Sequence, residues 1–203
     1  MLGLGASLAP LNGANCQSSH MVAVPTQNSG AVETADKLSK PQSQDQSRQL
    51  ISAIATGDAD GLRHLLENGA DANHADPRLG TTLLMMAQHP ALIRLLLQHG
   101  ADPSALDREG ATALHYAVAG SRAMQIIPLL VNSGANVNAC DDNGFSVLMR
   151  AVMNDKPELV GLMIHLGADL RLRTKDGQTA LDWAQDLGFA DIAELLEDAS
   201  LKR

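Results

Sequence analysis

Seven histidines, two cysteines and an Asp141-Asp142-Asn143-Gly144 run are the residues in this 203-residue chain whose types suggest metal or catalytic chemistry. A helix that binds zinc presents two histidines one turn apart. His64, His89, His99 and His165 lie in or beside helical segments without that spacing. The Asp141–Gly144 run has the look of a calcium loop, but it lacks the alternating acidic ligands and the distal glutamate such a loop needs. It reads instead as a turn. Two cysteines, Cys16 and Cys140, make neither a disulfide framework nor a zinc site. Cys140, with no histidine near it in sequence, is expected to be an exposed bystander thiol, with a redox-sensitive contact as the alternative. There is no Gly-x-Ser-x-Gly nucleophile motif, no phosphate-cradling glycine loop and no convincing acid–base pair. The expectation is a non-enzymatic chain with no metal and no cofactor, whose chemistry lies in surface contacts.

The elements that must carry such a surface repeat. TLLMMA at 82–87, TALHYA at 112–117, SVLMRA at 146–151 and TALDWA at 179–184 each follow a glycine (Gly80, Gly110, Gly144 and Gly177). Gly-Ala-Asp/Asn triplets stand at 69–71, 100–102, 134–136 and 167–169. A period near 33 residues predicts stacked helix pairs, each burying its apolar face on its neighbours. Aromatic residues make up only 2% of the chain against 45% hydrophobic residues, so the core must be aliphatic, with alanines admitting close helix approach. Net charge is -8, and no basic patch is visible, which argues against nucleic acid or anionic membrane as partner. No apolar run reaches the roughly 18 residues of a membrane-spanning helix.

Irregularities mark the repeats individually. Gly80 to Gly100 is shorter than the equivalent later intervals, so the first helix of repeat two, or its inter-helix turn, is expected to be curtailed. Pro90 and Pro157 sit where they open second helices, since the first turn leaves that N–H unused. Pro128 falls inside a second helix and is expected to bend it. A polar start before RQLISAIATG and Glu197 on the last apolar seam read as capping ends.

The phrase, best kept as Thr112-Ala113-Leu114-His115-Tyr116-Ala117, resembles the Thr-Pro-Leu-His-x-Ala signature of ankyrin repeats. The resemblance covers residues 47–200 and implies an all-α solenoid with β-hairpin-like finger loops. Its five repeats fall at about 47–76, 77–106, 107–139, 140–172 and 173–200. It further implies that His115 is structural and that the fingers turn at Asp107–Gly110, Asp141–Gly144 and Lys175–Gly177. The fingers and exposed first-helix faces then form a groove for a protein partner. Matched to this chain, the finger contacts are His74, Asp76, Arg78, Asp107, Arg108, Asp142, Asn143, Arg171, Arg173 and Lys175. The first-helix contacts are Met86, Tyr116, Arg150, Asn154 and Trp183. Tyr116 and Trp183 are open to two readings, anchor or inter-repeat core; Arg150, harder to bury, is the better contact. The function implied is a monomeric protein-binding scaffold, or alternatively an inhibitor or protective partner of an exported enzyme, as in periplasmic stress defence. Residues 1–46 are expected to be a disordered linker. MLGLGASLAPLNGANC resembles the end of an export signal without its basic start, so export is expected if the reading frame begins upstream, and a cytoplasmic protein otherwise.

Overall fold

A computed structural model describes residues 40–202, and the expectations for residues 1–39, Cys16 among them, lie outside these. Among the described residues ten helices follow one another: α1 (Lys40–Thr56), α2 (Ala59–Glu67), α3 (Leu83–Met86), α4 (Pro90–Gln98), α5 (Ala113–Ala119), α6 (Ala123–Asn132), α7 (Val147–Met153), α8 (Pro157–His165), α9 (Ala180–Asp186) and α10 (Ala190–Leu201). Odd-numbered helices stack on one another in one layer and even-numbered helices in a second. α1 begins at Lys40, ahead of the Ser47 from which the array was reckoned. Among the described residues no strand forms; the finger loops carry only isolated bridges, Ala75 with Thr82 and Cys140 with Ser146.

The repeated phrase sets each first helix. Its Thr or Ser is the N-cap of α3, α5, α7 and α9. Ser146 Oγ accepts from the Met149 amide (3.2 Å) and Thr179 Oγ1 from the Asp182 amide (3.2 Å), satisfying a donor the helix start leaves unpaired. The phrase's Leu84, Leu114 and Leu148 are buried, as are Ala87, Ala117, Ala151 and Ala184. Each leucine so enclosed is worth about 1.5–3 kcal/mol of apolar transfer, and the alanines let neighbouring layers close up.

The irregular repeats behave as their sequences imply. α3 has four residues where α5, α7 and α9 have seven. Pro90 and Pro157 occupy the first turns of α4 and α8. Pro128 lies inside α6, as expected of a proline within a second helix.

Successive fingers are joined by one repeated backbone bond. The Arg108 amide donates to Leu79 O (3.0 Å), Asp142 to Glu109 O (2.9 Å) and Lys175 to Asn143 O (3.1 Å). The first finger, Asp76–Gly80, is one residue longer, and its Arg78 amide turns inward to Asp76 Oδ1 (2.8 Å).

Candidate interaction surface of the fingers and first helices

Each finger folds around its leading residue. Asp107 Oδ1 accepts from the amides of Glu109 (2.8 Å) and Ala111 (2.9 Å), and Asp141 Oδ1 from those of Asn143 (2.9 Å) and Phe145 (3.0 Å). Asp76 receives the Leu79 and Arg78 amides, which hold its carboxyl below the usual carboxylate value.

The second carboxylate oxygen faces the first helix. Tyr116 donates its hydroxyl to Asp107 Oδ2 at 2.7 Å, and Arg150 Nη2 donates to Asp141 Oδ2 at 2.5 Å. Burial and then the Asp107 contact raise the Tyr116 phenol above its ordinary value. The Asp141 side chain is 2% exposed while that of Arg150 keeps 38%. Tyr116 and Arg150 therefore clamp helix to finger with their polar ends and leave part of each side chain at the surface.

Met86, Tyr116, Arg150 and Trp183 are all half-buried, one per repeat at the same level. Around the last two, Phe145 and Trp183 stack with ring centroids 5.4 Å apart at 51°, and the Arg150 guanidinium carbon lies 5.8 Å from the Phe145 centroid. Such contacts add attraction beyond area burial. Arg150 Nε and Trp183 Nε1 are buried with no acceptor among the described residues. Phe145 was not foreseen as part of the surface; it lies one residue before the phrase, where no recurring letter marks it.

Before this row stand the fingertips. Arg78, Arg108, Asp142, Asn143 and Lys175 are exposed, and His74 is half-buried at the foot of its finger. Arg108 reaches back to Pro77 O (2.7 Å). Arg171 pairs with Asp169 (3.0 Å), which raises the guanidinium's pKa further, and Arg173 Nη1 donates to Gly177 O (2.6 Å). Asn154 lies a turn beyond Arg150 and caps α7 by donating to the Arg150 carbonyl (2.7 Å). The fold thus gathers the finger residues along one edge with Tyr116, Arg150 and Trp183 behind them, and sets Asn154 apart.

Other residues hold this surface in register. His115 Nδ1 accepts from the Thr112 amide (3.1 Å), which leaves Nε2 to donate to Phe145 O in the next repeat (3.2 Å). Burial, the largest influence, lowers the pKa of this imidazole. Asn73 Oδ1 takes the Asp102 amide (2.7 Å), and Asn138 Oδ1 the Asp169 amide (2.7 Å). Both asparagines stand two places after the acidic or amide residue of a Gly-Ala-Asp/Asn triplet, a recurrence that could have identified them.

Cys140 is disulfide-bonded and half-buried, so the expectation of an exposed bystander thiol is corrected. Among the described residues, no group of three His, Cys, Asp or Glu side chains is placed to hold a metal, and no helix is long and apolar enough to cross a membrane.

A family model described as "Ankyrin repeats (3 copies)" matches residues 50–139 and 120–202. Human ankyrin repeat and SOCS box protein 6 is 33% identical over 125 residues, 57% of this chain; the chain spans only 30% of that protein. A putative ankyrin repeat protein of Rickettsia bellii is 30% identical over 143 residues, 68% of this chain and 79% of its own length. Mouse RelA-associated inhibitor is 37% identical over 100 residues, 48% of this chain and 12% of the relative.

Proposed function

The chain belongs to the ankyrin-repeat family, and from that premise we propose that it is a non-catalytic scaffold holding a protein partner against its fingers and first helices. Ankyrin repeats generally mediate protein–protein interaction and are generally not catalytic. The observation that carries the reading is the Phe145–Trp183–Arg150 cluster, half-exposed behind a row of exposed fingertips. An aromatic and arginine centre ringed by polar residues is the composition of an interface anchor. The partner is a protein, the chain acts as a monomer, and neither nucleic acid nor a cofactor takes part.

The test is direct binding of a partner isolated on the immobilised protein. Trp183→Leu and Asn143→Lys, each verified as folded by circular dichroism, should weaken binding at least about tenfold, the scale of a hot-spot residue. Met124→Glu, on the exposed side of α6, should not. Equal loss at Met124, or no loss at either surface variant, removes the assignment.

A second reading, an inhibitor or protective partner of an exported enzyme, is favoured by one observation, the disulfide at Cys140. Disulfides persist mainly in oxidising compartments. Fractionation of producing cells tests it. Chain found in the cytoplasm with both cysteines open to alkylation would exclude this reading and leave the first intact.

A further inference from the structure

Among the described residues, the ladder of finger bonds stops at the last finger with its acceptor side unfilled. In the fingers turning at Gly80, Gly110 and Gly144, the residue before the glycine (Leu79, Glu109 and Asn143) gives its carbonyl to an amide of the next finger. The equivalent residue in the last finger is Asp176, and the same internal bonds shape that turn: Thr174 to Gln178 O and Gly177 to Thr174 O, both 2.9 Å. The flanks differ. A Cβ added to Gly80 would meet Arg108 N at 3.2 Å. At Gly110 it would meet Asp142 Oδ1 at 2.5 Å and Asp142 N at 2.9 Å, and at Gly144 it would meet Lys175 N at 3.0 Å. At Gly177, with the same left-handed backbone (φ +84°), it would meet nothing within 4 Å. The last finger has the form of the others and an open flank where they hold a neighbour's backbone.

Charge distinguishes this end. Arg171, Arg173 and Lys175 are exposed within five residues of a chain whose net charge is -8. Of the nearby acids, Asp169 is engaged by Arg171, and Asp182 is held by the Thr179 amide and hydroxyl (both 2.8 Å). Asp176 alone among these acids points its charge to solvent without a partner.

We propose that the last finger is a docking site for an acidic, extended segment of a partner protein. One of its backbone N–H groups adds the next rung on the Asp176 carbonyl, and its carboxylates lie against Arg171, Arg173 and Lys175. Backbone addition to an exposed edge gives the affinity, and the cationic side chains choose the segment. The inference rests on the reading of the chain as a protein-binding scaffold and names the chemistry of what it holds.

The probe is a short peptide of alternating glutamate and glycine, titrated into the full chain while backbone amide resonances are followed. Shifts should centre on residues 173–178, weaken with added salt, and be absent for a lysine–glycine peptide. Lys175→Glu and Gly177→Asn should each lower affinity about tenfold; the first reverses a contact charge, and the second places a side chain on the open flank. Asp176→Asn should raise affinity about twofold by removing a like charge. Arg78→Ala, at the opposite end, should leave it unchanged. Equal binding of the lysine peptide, equal binding of an N-methylated glutamate peptide, or full retention by Gly177→Asn would overturn the proposal. A native partner lost with Trp183→Leu but kept by Gly177→Asn would leave the scaffold reading standing and this inference refuted.

Discussion

At the scale of single residues, the phrase letters divide by what they touch. His115 ties the Thr112 amide to the Phe145 carbonyl of the next repeat and is most strongly affected by burial, which lowers its pKa from the ordinary 6.5. A base depressed in the folded state means that the unfolded chain binds more protons below pH 6.5. Its contribution to stability is therefore full above 6.5 and is lost as pH falls through the lowered folded value. The melting temperature should drop on acidification through this range, and His115→Gln should flatten that part of the profile. A melting curve of equal slope in both proteins would show that burial does not govern the imidazole. The role of His115 was legible only through the resemblance to the ankyrin signature, because the other three copies of the phrase carry Met85, Met149 and Asp182 at that position. The role of Arg150 was only half legible. Its clamp on Asp141 spans a turn and a helix start nine residues apart, as the Tyr116–Asp107 bond does, but arginine and tyrosine share no letter that would announce the pair. The disulfide of Cys140 was not legible at all, since sequence gives cysteine number and not proximity.

At the scale of elements, length and position were written in glycine and proline. The short interval in repeat two became the four-residue α3, and Pro90 and Pro157 opened α4 and α8 as a missing N–H allows. Pro128 falls within α6, which packs on α4, α5 and α8 with Ile126, Ile127 and Leu130 buried. Tertiary burial offsets the one hydrogen bond a proline forfeits. The fingers give a sharper test of element packing. Gly144→Ala and Gly177→Ala both force a left-handed alanine, at a cost of about 1–2 kcal/mol. Only the first also drives a methyl into backbone at 3.0 Å. Chemical denaturation should show Gly144→Ala clearly the more destabilised. Equal losses would mean that the neighbouring finger yields freely.

At the scale of the whole molecule, stability is a sum of neighbour contacts along two helical layers, so the two ends decide what the array does next. The general architecture was legible because repetition prints the same contact several times. The difference between the ends was not, since it depends on which finger flank is empty in space. Sedimentation should give a single monomeric mass that does not rise with concentration; a rise would show self-association. The last apolar seam gives that expectation its reason. A stack of identical modules whose ends matched would have the geometry of a step-growth polymer, able to lengthen into fibres without closing. Glu197, exposed on α10 where Leu66, Leu97, Val131 and Ile164 hold the equivalent place, acts as a chain stopper. It sets a carboxylate where a head-to-tail neighbour would have to bury it, so the fibre is arrested before its first addition.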